Sequence, residues 1–223
     1  MNWTETLFTV PELIGTAAFA VSGAMAALER RLDLFGVVLL GLTTALGGGC
    51  IRDLLLGVTP PQMFCSPLLA LLAVFSALLV FVPAYCGRER FFGHTGQIEQ
   101  INNIFDAIGL GVFSVVGTRA GIMAGYAGNA FLCVFLGMLT GVGGGVLRDM
   151  MSREIPMVLR KRIYALASIL GALAYWLLRK YAVDETAAAL CGGIMVFGIR
   201  MLATHFRWSL PRVLCKDEAK EET

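Results

Sequence analysis

Apolar residues fall in long runs along this chain, without the alternation of a half-buried strand. A transmembrane helix needs about 20 apolar residues, so runs of this length predict membrane spans. The fourth run is short for a crossing, and we expect its helix to extend beyond the run. The predicted fold is an all-α integral membrane protein with seven transmembrane helices. The predicted spans are about Leu7–Leu28, Leu34 through the Gly47 triplet, Ser66–Tyr85, Ile104–Val116, Ala130 through the Gly143 triplet, Ile163–Leu178 and Thr186–His205.

The composition agrees with a membrane protein. Of the 223 residues, 57% are hydrophobic and only 15% are charged, whereas soluble domains carry about 25% charged residues. The loops and tails are short, so residues 1–223 are predicted to form a single membrane domain. The first apolar run has no basic segment before it, and we expect it to remain in the mature protein.

A seven-residue phrase occurs twice, as Gly47–Asp53 and again as Gly143–Asp149. The similarity extends to both sides of the phrase, where Pro60 is matched with Pro156. It defines two units, at about 11–85 and 105–178, with a seventh helix at about 186–205 outside the repeat. Each unit contains three spans, so the second unit starts on the opposite side of the membrane and runs inverted. Inverted repeats are a recurring plan of transport proteins.

The basic residues predict the orientation in the membrane. Twelve lysines and arginines outside the repeated phrase fall on one predicted side and three on the other. Because basic loops stay in the cytoplasm, we expect the N-terminus outside and the C-terminus inside, in a bacterial inner membrane. The basic tail, 206–223, also suits contact with anionic membrane lipid, although a topology signal explains it equally well.

The two glycine triplets are the strongest candidates for a functional site. Glycine weakens a helix by about 1 kcal/mol relative to alanine, so the triplets predict a kink or an unwound stretch. Inward carbonyls there could hold a partly dehydrated monovalent cation. Two alternatives stay open, namely close packing of small residues and simple helix ends at the interface. The candidate path residues are Gly47, Gly48, Gly49, Gly143, Gly144, Gly145, Thr44 and Thr140; the two threonine hydroxyls could instead bond back to their own helices.

Each glycine triplet is followed by an Arg-Asp pair, Arg52-Asp53 and Arg148-Asp149. Charged residues are expensive within a membrane, and adjacent residues on a helix do not face each other. The pseudo-two-fold therefore predicts crossed ion pairs, Arg52 with Asp149 and Arg148 with Asp53. The alternative is that these charges shape the electric field along a pathway.

Glu12 and Asp106 occupy matching positions near the start of the first span of each unit. Carboxylates there either favour the helix N-terminus electrostatically or concentrate cations at two opposite mouths. Arg200 and His205 lie near the inner end of the last span. Snorkelling to the interface explains both, so no role is assigned to them.

Nothing in the sequence indicates an enzyme. The chain has only two histidines, and it contains no nucleophile elbow, P-loop or metal-ligand cluster. The sequence therefore predicts no catalytic residues, no cofactor, no metal site and no nucleic-acid partner.

Two GGGxxRD phrases in inverted three-span units, followed by a seventh span, resemble the bacterial branch of the trimeric intracellular cation (TRIC) channel family. The same domain is also described as glycine-transporter-like. The resemblance implies a homotrimer with one pore per protomer, bounded by second and fifth helices kinked at their triplets. Animal members carry a lysine in that glycine motif. This chain has Leu46 and Val142 there, so lipid or voltage control is not carried over.

Three hypotheses follow. The first is a monovalent-cation channel, permeable to potassium, with gating at the two kinks. The second is a carrier for a small amino acid such as glycine, in which a helix N-terminus and Arg52 or Arg148 hold the carboxylate. The third is a membrane scaffold that moves no solute and whose glycines serve only packing and assembly.

Overall fold

The computed structural model describes residues 3–65, 67–86, 95–160, 163–206 and 208. The predicted start of the third span, Ser66, and nearly all of the basic tail lie outside these residues. The helices, in chain order, are α1 (Trp3–Glu29), α2 (Leu34–Leu55), α3 (Gln62–Cys65), α4 (Pro67–Cys86), α5 (Thr95–Gly121), α6 (Ala130–Met151), α7 (Met157–Arg160), α8 (Ile163–Lys180) and α9 (Glu185–His205). A π-helical turn, Ile122–Tyr126, follows α5.

Seven of the described helices are long and apolar enough to cross a membrane, which confirms the predicted fold class. The fourth span extends over Ile98–Tyr126 in the structure, well beyond the short apolar run. Large apolar side chains such as Phe35, Phe131 and Leu71 are exposed on the outside of the bundle. A soluble protein would bury such residues, whereas lipid solvates them.

The two three-helix units pack around a pseudo-two-fold axis. In the centre, α2 packs against α6 and α1 packs against α5. Phe19 and Phe113, which are equivalent in the two units, stack with ring centroids 5.3 Å apart. Helix α9 packs against α5 and α8, so it covers the second unit and breaks the symmetry of the pair.

Polar side chains cap the N-terminal ends of three helices, close to the predicted starts of these spans. Asp33 accepts a hydrogen bond from the backbone N–H of Gly36, and Asn129 accepts one from Leu132. At α9, the backbone N–H groups of Ala187 and Thr186 donate to the Asp184 carboxylate, and these bonds lower the pKa of Asp184. Such caps satisfy donors that have no partner within the helix.

The structure corrects one detail of the repeat. The carbonyl of Pro61 accepts a hydrogen bond from the N–H of Phe64, and that of Pro156 accepts one from Leu159. Pro61, and not Pro60, is therefore the counterpart of Pro156. After this point the residue numbers of equivalent positions differ by 95. The contacts of the equivalent glycines agree with this offset: a β-carbon added at Gly41 would meet Ala77, and one added at Gly137 would meet Ala172.

Candidate functional site

The glycine triplets lie where α2 and α6 cross. Both helices run without interruption through their triplets, so the predicted unwound stretch is absent, and the alternative, a kink, stays a prediction. A β-carbon at Gly48 would collide with the carbonyl oxygen of Thr140, and one at Gly144 would collide with that of Thr44. The glycines thus allow two helix backbones to touch, which is the small-residue packing known between membrane helices.

The third glycine of each triplet faces away from this crossing. Gly49 lines a pocket at one end of the bundle. A β-carbon at Gly145, its counterpart, would lie 3.0 Å from the hydroxyl of Tyr164. The first glycines, Gly47 and Gly143, contact the partner helix: added β-carbons would meet Leu147 and the backbone of Gly48, respectively.

The two threonines before the triplets are buried. Thr44 donates a hydrogen bond to the carbonyl of Leu40 and Thr140 donates one to Leu136, both at 2.6 Å. The sequence left open whether these hydroxyls line a path or bond back to their own helices. In the structure they bond back to their own helices. Their place along a cation path stays a prediction.

The Arg-Asp pairs are formed within each phrase, so the predicted crossed pairing is wrong. Arg52 donates to Asp53 Oδ1 through Nε at 2.9 Å and Nη2 at 2.7 Å, and Arg148 Nε donates to Asp149 Oδ1 at 2.9 Å. The long guanidinium side chain folds back to its neighbour, which spacing on a helical wheel does not reveal.

The second carboxylate oxygen of each pair ties the helix to the following loop. The backbone N–H of Gln62 donates to Asp53 Oδ2 at 2.9 Å, and that of Met157 donates to Asp149 Oδ2 at 2.7 Å. Each aspartate therefore uses both oxygens, one on a guanidinium and one on the first residue of a short helix.

One end of the bundle holds a buried charged group that we call the Asp106 cluster: Asp106, Arg148, Asp149, Tyr164 and Arg200. Asp106, fully buried, accepts from Arg148 Nη1 at 2.8 Å and from Arg200 Nη2 at 3.4 Å. The hydroxyl of Tyr164 lies 3.3 Å from the same carboxylate, and Arg200 stacks 4.6 Å over its ring. Two guanidiniums and two carboxylates balance in charge, as a buried cluster requires.

The opposite end holds an open pocket of about 180 Å³, the Glu12 pocket. Its wall includes Glu12, Thr16, Gly49, Arg52 and Leu69. Glu12 is the counterpart of Asp106, so the structure places the two predicted mouth acids at opposite ends. Leu69 takes the place of Tyr164, and α9, which carries Arg200, has no counterpart here. The space that Tyr164 and Arg200 fill at the end with the Asp106 cluster is therefore open in the Glu12 pocket.

Sequence reasoning missed three of these residues. Arg200 was assigned to the interface, yet it is only 2% exposed because α9 packs over the second unit. Tyr164 and Thr16 looked like ordinary residues of apolar spans. The sequence did contain a signal for Tyr164, because the repeat alignment matches it with a leucine of the first unit. A difference in residue type between equivalent positions indicates that the two units differ there.

Comparison with known proteins agrees with this architecture. The family model described as "Glycine transporter" matches residues 9–84 and 103–180, the two repeat units. The chain belongs to this glycine transporter family. It is 39% identical over 194 residues to a UPF0126 membrane protein of Deinococcus radiodurans, covering 86% of this chain and 85% of that one. It is 35% identical to the UPF0126 inner membrane protein YadS of Escherichia coli K12, covering 90% and 93%.

The chain is also similar to solved structures that are described as TRIC channels. One, from work on conductance through TRIC cation channels, has a TM-score of 0.81 and 36% identity, and the match covers 94% of this chain and 98% of that one. Another, the TRIC channel orthologue of Rhodobacter sphaeroides, has a TM-score of 0.80 and 32% identity, with coverage of 91% and 100%. The predicted resemblance to bacterial TRIC channels is confirmed, as is the prediction that the chain is not an enzyme. The protein is a multi-pass membrane protein of the channel and transporter class.

Proposed function

We propose that the protein is a homotrimeric monovalent-cation channel of the bacterial inner membrane, permeable to potassium, with one path in each protomer. The observation that carries this proposal is the match to TRIC cation channels along nearly the whole chain. The proposed orientation, with the N-terminus outside, rests on the distribution of basic residues. It puts the Glu12 pocket at the outer end and the Asp106 cluster at the inner end.

The proposed path runs beside the α2–α6 crossing. It enters at the Glu12 pocket, passes Gly49, continues along the far side of the crossing to Gly145, and leaves at the Asp106 cluster. Gly48 and Gly144 hold the two helices in backbone contact, so an ion cannot pass between the helices there. In this proposal Gly48 and Gly144 hold α2 and α6 together beside the path, and Gly49 and Gly145 leave space for the ion.

The structure represents a closed state in this proposal. The ring of Tyr164 and the guanidinium of Arg200 occupy the inner end, and Arg148 is 1% exposed in the same cluster. The ring obstructs a cation sterically, and the guanidiniums are held beside it by their ion pairs with Asp106 and Asp149. Conduction therefore requires α9 or α8 to move enough to open this end.

Replacing the ring tests this closure. We expect Tyr164→Leu, which copies Leu69 of the open end, to raise the potassium flux of proteoliposomes. Lowering the barrier by about 1.4 kcal/mol corresponds to a tenfold rise. The matched control is Tyr164→Phe, which keeps the ring and removes only the hydroxyl, and its flux should stay close to that of the natural protein. Equal fluxes in all three proteins would contradict a ring-based closure.

A second candidate function is transport of a small amino acid. The Glu12 pocket brings one guanidinium, from Arg52, near the carboxylate of Glu12. These groups are complementary to the carboxylate and ammonium of glycine, and the family model carries that transporter's description. A carrier would close one end at a time, whereas a channel needs a continuous wet path.

The two functions separate in one experiment. Purified protein in liposomes is given a potassium gradient with a proton-leak dye, beside uptake of radiolabelled glycine. We expect potassium flux that is indifferent to glycine and is lost in Gly49→Leu, because the new side chain enters the path. Gly198→Leu, at an α9 position with open space around it, is the matched control and should conduct. Saturable glycine uptake without potassium flux would favour the carrier, and silence in both assays would favour the scaffold.

A further inference from the structure

The two ends of the bundle differ in charge as well as in shape. The Asp106 cluster contains two carboxylates and two guanidiniums, whereas the Glu12 pocket contains two carboxylates, Glu12 and Asp53, and one guanidinium. Asp53 is already paired with Arg52. The other cation acting on Glu12 is Arg119, which pairs with Glu185 at 2.7 Å. When Glu12 is ionised, the pocket has an excess of one negative charge, carried by Glu12.

The pocket also contains a buried hydroxyl with no hydrogen-bond partner among the described residues. Thr16 is 0% exposed and lines the pocket, and its Oγ1 bonds to nothing that the structure describes. Three other buried threonines donate to the carbonyl four residues earlier: Thr44, Thr118 and Thr140. Buried polar groups almost always have partners, so this hydroxyl is available to a ligand in the pocket. In the second unit the equivalent residue is Leu110, which needs none.

Glu12 and Thr16 are four residues apart and therefore lie on the same face of α1. We propose that the Glu12 pocket binds one monovalent alkali cation, with the Glu12 carboxylate and the Thr16 hydroxyl as its protein ligands and water completing the shell. A calcium site needs six to eight oxygens and several carboxylates, which a single unpaired carboxylate does not supply. The inference deepens the proposed function and rests on it for the choice of potassium.

The test measures binding without flux. Purified protein in detergent is unfolded thermally while potassium chloride replaces N-methyl-D-glucamine chloride at constant ionic strength. A site that binds the folded state alone raises the melting temperature in a saturable way. We expect this rise in the natural protein and in Thr16→Ser, which keeps the hydroxyl. In Glu12→Gln and Thr16→Val the apparent dissociation constant should rise by about tenfold, which corresponds to about 1.4 kcal/mol.

Thr118→Val is the matched control, because it removes a buried hydroxyl that already has a partner outside the pocket. Its potassium response should be unchanged. An equal response in the natural protein, Glu12→Gln and Thr16→Val would overturn the site, as would no response at all. If one variant fails to fold, retention of radioactive rubidium by the other decides the question. Potassium flux without a binding response would reject this site and keep the channel, whereas binding without flux would keep the site and reject the channel.

Discussion

Gly48→Ala is expected to lower the stability of the whole bundle, and Gly144→Ala should do the same. The new β-carbon would collide with a carbonyl of the facing helix, at Thr140 or Thr44, where the backbone cannot move aside as a flexible side chain could. Overpacking of this kind costs about 1–3 kcal/mol, and sometimes more. We expect a lower melting temperature and less monodisperse protein on size-exclusion chromatography, with the double variant worse than either single one.

Gly198→Ala is the control for this prediction. Gly198 lies inside α9 with open space around it, and alanine is favoured over glycine in a helix by about 1 kcal/mol. Its stability should be equal or slightly higher. If Gly48→Ala were as stable as the natural protein and lost only flux, the crossing would not depend on close packing, and a direct role of this glycine in the path would be favoured instead.

Asp106→Asn is the second change with a large expected effect. It removes the carboxylate that both Arg148 and Arg200 contact, and leaves Asp149 paired with Arg148. Breaking a buried ion pair by removing one partner costs about 3–5 kcal/mol, because the remaining charge is uncompensated. We expect a strong loss of thermal stability in detergent. Adding Arg200→Gln should restore part of the loss, since the cluster would again be balanced, now with one charge of each sign.

The control for Asp106→Asn comes from the other end of the bundle. Glu12→Gln changes the equivalent carboxylate, but Glu12 faces an open pocket, so its effect on stability in potassium-free buffer should be much smaller. The interaction between Asp106→Asn and Arg200→Gln is read from a double-mutant cycle. Purely additive losses would mean that Arg200 and Asp106 do not stabilise each other.

The expected difference between Asp106→Asn and Glu12→Gln has one physical origin, the way in which the second unit departs from the first. Duplication provides equivalent positions at both ends, and α9 then covers one of them. Tyr164 and Arg200 fill the covered end, whereas the other end keeps Glu12 beside Thr16 and an open volume. A symmetric pair of units would have two equal mouths. The seventh helix makes one end closed and charge-balanced and leaves the other open and acidic.

Much of the architecture could be predicted from the sequence. The apolar runs predicted seven membrane helices, because the bilayer sets the length of a span. The doubled phrase predicted inverted units, because three spans reverse the direction of the chain. These are consequences of length and repetition, which need no knowledge of side-chain contacts. The family resemblance likewise depended on motifs in the sequence and was confirmed by the comparisons.

The site depended on contacts that only the tertiary structure decided. Arg52 pairs with Asp53 because a long side chain folds back, which helical spacing does not predict. Gly48 and Gly144 meet across the bundle while their triplets remain helical, and a sequence does not state which helix lies opposite. Arg200 is buried because α9 packs on one unit and not on the other. The sequence by itself determined the spans and the repeat, since both follow from local hydrophobicity and internal similarity. The tertiary structure decided which equivalent position is filled and which is open, because that depends on packing between distant segments.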